Sequence, residues 1–302
     1  MGSTMKDTTK NLYFERMHLV LRHIQANLDE DLTLESLAAM TFFSPIHFHR
    51  IFKGMFGETV IEHIRRIRME RAATRLAMGT SSVTVAAFDA GYETVESFSR
   101  AFKKMFDCPP SKYQENHWKN LYKRLSGSVH YLPENARIRL TITQQKEVSM
   151  KVKIERIAPL RVAYVRHVGP YKDCTQAWET LCAWAEPKGL FDPLPKFIGI
   201  CYDDPQVTPA DKIRYDACFT VHADVEGAGE IGIQTLSGGD YAVTRHCGPY
   251  SELEQAYGKL MGQWLPTSGQ ELKEGPSFEI YLNAPDNTPP EELQTDIYLP
   301  LK

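Results

Sequence analysis

Residues 48–56 read FHRIFKGMF, and fifty positions further on residues 98–106 read FSRAFKKMF. If each segment is a helix, its phenylalanines and its methionine share one face, because positions four, seven and eight residues apart lie on one side. Arg50 and Arg100 then lie about 200° round the helix from the first phenylalanine. Such an arginine can make paired hydrogen bonds to guanine or phosphate. One copy alone would favour an ordinary amphipathic core helix, whereas two matching copies favour a pair of DNA-reading helices.

The composition bounds the class of protein. A chain of 302 residues with 42% hydrophobic and 24% charged residues is typical of a globular protein with two or more domains. We find no apolar run near the ~18 residues of a membrane span and no secretory segment, so we expect a cytoplasmic protein without a membrane partner. The cysteines form no C-x-x-C pair, which predicts reduced thiols.

The net charge of -3 averages two unlike parts. Residues 1–124 carry 18 Lys+Arg against 14 Asp+Glu, or +4, and residues 125–302 carry 17 against 24, or -7. A basic part joined to an acidic part fits DNA contact combined with another task. The local clusters of basic residues indicate this more strongly than the modest sum of +4 does, and they consist of Arg65, Arg66, Arg68, Arg71, Arg75, Lys103 and Lys104.

Helix signals surround both copies of the repeated phrase. The spacing predicts a helix over 12–28, a short helix before each copy, a long helix over 59–77 between the copies and a final helix through Tyr113 and Trp118. A short helix, a turn and a second helix with a basic outer face form a helix-turn-helix pattern. A connecting helix of about 28 Å would let both recognition helices meet major grooves about one DNA turn (~34 Å) apart.

Residues 12–118 resemble the DNA-binding domain of the AraC/XylS family of transcription regulators. The motifs are LESLA (34–38), FSPIHFHRIFK (43–53), AAFDAGY (86–92), FSRAFK (98–103) and Pro109-Pro110. The resemblance implies an all-α domain over 10–120 that binds double-stranded promoter DNA, activates more often than it represses, and has RNA polymerase as a partner. It also implies these base-facing residues: Ile46, His49 and Arg50 in the first unit, and Val95, Glu96, Ser99 and Arg100 in the second.

A second duplication, at an offset of 79 to 80, begins after a linker that we place at 121–149, with a possible strand over 137–143. Residues 166–171 read RHVGPY and residues 245–250 read RHCGPY. Each copy predicts a strand, an amphipathic helix and two more strands, with a leading strand before them. This pattern predicts an α+β domain over 150–302, with a groove between its halves as a natural ligand site.

Residues 150–302 resemble the GyrI-like small-molecule-binding domain through the doubled His-x-Gly-Pro-Tyr phrase and the strand FEIY (278–281). The resemblance implies that Glu279 lies in the pocket. Strand alternation predicts that Phe278, Ile280 and Leu282 point towards the helices, that Glu279 and Tyr281 face the groove, and that Gly199 opposite leaves space. A hydrophobic, cationic effector would satisfy a glutamate among aromatic rings. The candidates for the walls of the ligand pocket are Tyr164, Trp184, Phe219 and Trp264. For each of them the alternative is a role in the hydrophobic core.

Other interpretations stay open beside a DNA-binding regulator. The second part could be a GyrI-like hydrolase of strained, cyclopropane-containing compounds. Glu279 would then act as the general base, and Tyr281 or Tyr164 as the proton donor. Alternatively, the second part docks another protein. We expect no enzymatic activity, no cofactor and no metal. His47 and His49 do not face each other on a helix, and no partner has ligand spacing. We therefore interpret His49 as a DNA contact and His47 as a surface residue.

Overall fold

The structure, a computed structural model, describes residues 2–113, 129–131 and 150–302. The chain divides into two compact units, one of Asn11–Val148 and one of Ser149–Lys302 together with Met1–Lys10. Three predictions lie outside the described residues. They are the continuation of the last helix to Trp118, the strand over 137–143 and most of the linker.

The first unit is helical. It contains α1 Gly2–Ala26 from Asn11 onward, α2 Leu34–Ala39, α3 Pro45–Phe56, α4 Val60–Ala77, α5 Val83–Asp89 and α6 Val95–Phe106, followed by a 3₁₀ turn over Pro110–Lys112. The pairs α2–α3 and α5–α6 are the two predicted helix-turn-helix units, and α4 joins them. The first helix is longer than predicted at its start and ends two residues earlier.

Capping residues explain where these helices begin and end. A Ser or Thr side chain accepts a hydrogen bond from a first-turn amide at the start of five helices, and these caps are Thr33, Ser44, Thr59, Ser82 and Thr94. The recognition helices α3 and α6 end at left-handed residues, Gly57 and Asp107 respectively.

Each recognition helix carries a ladder of phenylalanine rings on its inner side. The centroid distances are 5.7 Å for Phe48–Phe52, 4.6 Å for Phe52–Phe56, 5.4 Å for Phe98–Phe102 and 4.4 Å for Phe102–Phe106. The second ladder packs against the alanines of α4 and α5, which are short enough for the helices to approach closely. The predicted aromatic stripes are confirmed.

Most of the arginine cluster of α4, which indicated a basic DNA-contacting part, is instead engaged within the helical unit. Arg66 is buried and bonds Glu58 and Glu70, because a buried guanidinium requires carboxylate partners. Arg71 donates to Asp29 at 2.6 Å and Arg75 to Asp89 at 2.8 Å.

Arg68 also has a structural role, since it donates to the carbonyl oxygens of Leu28 and Glu30 at 2.8 Å. Arg65, Lys103 and Lys104 are exposed, as a surface charge should be.

The second unit is built on one eight-stranded antiparallel sheet. Its strands are β1 Val152–Ile157, β2 Leu160–Val168, β3 Phe197–Cys201, β4 Arg214–Thr220, β5 Gly232–Leu236, β6 Gly239–Cys247, β7 Ser277–Tyr281 and β8 Gln294–Pro300. All four predicted strands of each copy are present. The helices are α7 Thr175–Ala185, α8 Leu253–Lys259 and α9 Leu265–Ser268.

The strand order β1-β6-β8-β7-β3-β4-β2-β5 shows how the two copies combine. The strands β7 and β3 meet at the centre, so the copies share one continuous sheet. The leading strands are exchanged: β1 of the first copy pairs with β6, and β5 of the second copy pairs with β2. This exchange makes each half depend on the other for an edge strand.

The repeated His-x-Gly-Pro phrase forms a turn. The ring Nε2 of His167 donates to the carbonyl oxygen of Pro170 at 3.1 Å, and His246 does the same to Pro249 at 3.2 Å. The intervening glycines have φ of +145° and +139°, a region that side chains disfavour. The preceding arginines form bidentate pairs, namely Arg166 with Asp216 and Arg245 with Asp296.

In the second copy of the repeat, the helical region contains a π turn, Leu260–Trp264, between α8 and α9. The copies are offset by 79 residues at Tyr171/Tyr250 but by 80 at Trp184/Trp264, so the second copy has one additional residue. A π turn holds one residue more than an α turn. The turn therefore absorbs the insertion while the following residues keep their faces.

Candidate functional site

The outer face of α3 carries the first set of predicted DNA contacts. Ile46 and Arg50 are half-buried, whereas His49 is only 2% exposed. The prediction that His49 faces DNA bases is wrong for this structure, because it lies about 60° from Phe52 and falls within the buried arc of the helix. His47 is half-buried rather than a surface residue, and burial, with the nearby charge of Arg50, lowers its pKa to about 4.

The outer face of α6 carries the second set. Glu96 and Arg100 are exposed, while Val95 and Ser99 are half-buried at its border. The exposed Lys103 lies about one turn beyond Arg100, so this face is basic over most of its length.

The structure reverses one predicted orientation in the sheet. Phe278 and Ile280 belong to a core on the sheet face away from α7, together with Ile198 and Ile200. The prediction that they point towards the helices is therefore wrong. Leu282 lies just after β7 and is exposed.

Glu279 occupies the centre of the helix-covered face. It is 4% exposed and lies directly opposite Gly199 across the β3–β7 pair where the two copies meet. The hydroxyl of Tyr281 donates to Glu279 Oε2 at 2.7 Å, and the thiol of Cys201 lies 3.6 Å from Oε1. The hydroxyl of Tyr215 lies 3.0 Å from that of Tyr281. A carboxylate and two phenols thus form a hydrogen-bonded chain.

Aromatic rings from both copies surround this chain. The ring of Tyr281 lies 5.9 Å from Trp178 of α7 and 5.3 Å from Tyr250, while Tyr215 lies 5.8 Å from Tyr171. These edge-to-face distances are those of favourable aromatic pairs. Sequence reasoning missed Trp178, Tyr215, Tyr171 and Tyr250 as site residues. The doubled Gly-Pro-Tyr phrase already pointed to the last two, since it places a tyrosine at equivalent positions in both copies.

Burial and the charge of Glu279 keep the phenols protonated. Burial raises the pKa of Tyr281 well above its usual value, and the negative charge of Glu279 adds to the effect. Burial likewise raises the pKa of Tyr215, with Cys201 and Glu279 contributing. The pKa of Tyr250 is raised mainly by burial and then by Glu279. At neutral pH the site therefore offers protonated hydroxyl groups around one carboxyl group.

The structure separates the other predicted ligand residues from Glu279. Tyr164 packs with the core on the opposite face of the sheet, so the prediction that it lines the same pocket is wrong. Phe219 and Trp184 lie on the helix side, with ring centroids 6.4 Å apart, as part of a core beneath α7. Trp264 is half-buried at the end of the π turn.

The described residues contain neither a metal-binding cluster nor a membrane-spanning helix. Among residues 2–113, 129–131 and 150–302, no three His, Cys, Asp or Glu side chains are grouped so as to hold a metal ion. Within the same described ranges, no helix has the length and apolar character needed to cross a bilayer.

The geometry defines a class: a helix-turn-helix protein joined to an α+β domain with a carboxylate in an aromatic site. The family profile described as a GyrI-like small molecule binding domain matches residues 150–302, and the profile of a helix-turn-helix domain matches residues 37–116. The chain belongs to the AraC-type DNA-binding transcription regulators, with a GyrI-like small-molecule-binding domain following its helical unit.

Individual relatives match one part each. A DNA gyrase inhibitor from Serratia proteamaculans is 34% identical over 139 residues, which cover 44% of this chain and 88% of the relative. The multiple antibiotic resistance protein MarA of Escherichia coli is 30% identical over 115 residues, covering 38% of this chain and 91% of MarA. Among solved structures, an EcmrR–DNA complex matches with a TM-score of 0.45 and 16% identity, covering 80% of this chain and 82% of that one.

Proposed function

We propose that this regulator activates transcription when its α+β unit binds a hydrophobic cation beside Glu279. The observation that carries the proposal is the buried Glu279 carboxyl group, held by Tyr281 and enclosed by rings from both copies. A cation gains from the carboxylate by charge and from the ring faces by cation–π attraction. A neutral hydrophobe gains only from the rings.

The ligand half is tested by comparing tetraphenylphosphonium, a lipophilic cation, with neutral triphenylphosphine oxide in a thermal-shift assay on the full chain. Binding to the native state raises the unfolding midpoint by mass action. We expect the cation to give the larger shift. Glu279→Gln should lower its affinity about tenfold or more, because one charge interaction at an effective dielectric near 20 contributes a few kcal/mol. The matched control is Glu274→Gln, an exposed carboxyl of the same unit. Equal binding of both compounds would refute a cation site.

For the DNA half we propose that base contacts come from Ile46 and Arg50 of α3 and from Val95, Glu96, Ser99 and Arg100 of α6. The support is the placement of Arg100 and Glu96 on an exposed face above a rigid aromatic ladder. A guanidinium held in this way can bond two acceptors of a guanine.

Selection of binding sites from a random DNA library, followed by affinity measurements, tests these contacts. Arg50→Ala and Arg100→Ala should each cost about 1–3 kcal/mol at one base-pair position and relax specificity there. Arg65→Ala, which removes an exposed arginine from α4, is the matched control for lost charge. A uniform loss over all sequences would make the arginine a phosphate contact instead.

The proposed partner in activation is RNA polymerase. A ligand changes transcription only if it binds two states of the regulator with different affinity. Transcription from a selected site, with purified polymerase and with or without tetraphenylphosphonium, should rise in the presence of both regulator and cation. A fall would identify repression.

A second function is favoured by one observation, the chain from Tyr215 through Tyr281 to Glu279. A carboxylate beside protonated phenols can act as base and donor in hydrolysis. Long incubation with a strained cyclopropane compound decides the matter: recovery of unchanged compound supports binding alone, and turnover lost in Glu279→Gln supports a hydrolase.

A further inference from the structure

Gly199 lies at the centre of the shared sheet, directly opposite Glu279. The two residues are also equivalent in the duplication, since they are 80 positions apart. One copy therefore supplies the carboxylate, and the other supplies a position without a side chain at the same level of the sheet.

The space above Gly199 is filled by the hydroxyl groups of two tyrosines. A Cβ atom added to Gly199 would collide with the hydroxyls of Tyr281 and Tyr215. Neither ring can swing aside freely, because Tyr281 packs against Trp178 and Tyr250, and Tyr215 is buried against Trp178. A strand glycine usually weakens a sheet, so its presence here fits a close approach of other groups.

The hydrogen bonds at this position run in one direction. A phenol carries one proton, and that of Tyr281 is donated to Glu279. The bond between the two hydroxyls therefore uses the proton of Tyr215, with Tyr281 as acceptor. Donation to a carboxylate favours its charged form. Loss of the contact between the phenols would remove the bond that holds the Tyr281 hydroxyl in place beside Glu279.

We propose that Gly199 is a positioning residue: its missing side chain lets Tyr215 and Tyr281 meet and hold the Glu279 carboxyl group in place, which sets the preference for cations over neutral ligands. This inference rests on the proposed ligand site. It assigns to Gly199 a role in specificity although it supplies no side-chain contact to the ligand.

A double-mutant cycle on the full chain tests the packing without any ligand. Gly199→Ala should lower the unfolding midpoint by about 3 °C or more. Adding Tyr281→Phe, which removes one of the colliding hydroxyls, should cost less in this background than in the wild type. The matched control is Gly232→Ala, whose Cβ would meet the ring of Tyr164 on the opposite face. Its combination with Tyr281→Phe should be additive. Additivity in the Gly199 cycle would overturn the proposal.

The second arm measures specificity. Gly199→Ala should reduce tetraphenylphosphonium affinity about tenfold, the worth of a hydrogen bond to a charged group, while the affinity for triphenylphosphine oxide changes much less. Gly232→Ala should leave the ratio of the two affinities unchanged. Parallel loss of both ligands in Gly199→Ala would overturn the role in specificity. If neither compound binds the wild type, the proposed ligand class fails, and the thermal cycle still decides whether Gly199 positions the phenols.

Discussion

Glu70, in the middle of the helix that joins the two helix-turn-helix units, accepts a 2.7 Å hydrogen bond from the backbone amide of Tyr131. Arg66 donates to the carbonyl oxygen of Val129 at 2.8 Å, and Gln25 donates to that of His130 at 3.0 Å. Three consecutive residues beyond the helices are thus bound by polar side chains of α1 and α4. The segment 129–131 is a structural part of the helical unit rather than a free linker.

The first prediction concerns this amide. Tyr131→Pro removes the N–H that Glu70 accepts and should lower the free energy of unfolding of the helical unit by about 1–3 kcal/mol, the cost of a buried polar group left without its partner. Tyr131→Ala keeps the amide and serves as the control for the lost ring. Urea unfolding followed by helix circular dichroism measures both. An equal effect of the two variants would show that the amide contributes nothing.

The second prediction separates two neighbouring arginines of α4. Arg66→Ala leaves the carboxylates of Glu58 and Glu70 without their guanidinium and should cost about 3–5 kcal/mol of stability. Arg65→Ala changes an exposed side chain and should remain within about 0.5 kcal/mol. Thermal unfolding of both variants decides whether the sequence cluster is structural. Similar midpoints would contradict the ion network.

The third prediction is a pH dependence. Burial by itself raises the pKa of Glu58, but hydrogen bonds from Arg66 and His63 outweigh it and hold that pKa at about 2. A carboxyl with a lowered pKa in the folded state adds stability above its ordinary value of about 4.5, and this stability is lost as the pH falls through about 2. The stability difference between wild type and Glu58→Gln should therefore shrink in this window.

The readout is the difference in unfolding midpoint measured at steps of pH, with Glu35→Gln as the control at an exposed carboxyl. A difference that stays constant down to pH about 2 would show that Glu58 gains no charge-dependent stability.

The helical unit could be predicted from sequence in its periodicity and caps. The phenylalanine ladders, Ser44 and Thr94 are local features, and local signals survive folding. The role of Arg66 could not be predicted. One of its partners, Glu58, is near in sequence, but another, the carbonyl oxygen of Val129, is 63 positions away. Exposure of a charge depends on such distant contacts.

The candidate site shows the same division. The duplication and strand alternation placed Glu279 with Tyr281 and opposite Gly199, but they gave no information on which face of the sheet the helices cover. That choice depends on the packing of α7, whose Leu181 shares one core with Ala163, Ala217 and Phe219 of the sheet. Phe278 was assigned to the wrong face for this reason. Tyr164 was misplaced for another reason: the strand register aligns it with Ile198 and Ile280 rather than with Glu279.

The fourth prediction uses the π turn. If the one-residue insertion is held there, deletion of Gly262 should convert the segment into a regular α-helix. Leu265 and Pro266 would keep their buried positions. The cost should stay below about 2 kcal/mol. Deletion of Glu179 from α7 turns the following residues by about 100° and removes Leu181 from the core. That deletion should cost about 2–5 kcal/mol.

Thermal unfolding of both deletions, with circular dichroism to check helix content, makes the comparison between equivalent helices of one domain. The difference in unfolding midpoint between the two variants is decisive. Both lose one residue, but only the Gly262 deletion leaves the following residues facing the core. A Gly262 deletion as damaging as that of Glu179 would show that the π turn is required for packing. In that event the helical region of the second copy would differ from α7 because its packing needs the shape of the π turn, and not because the turn merely accommodates an extra residue.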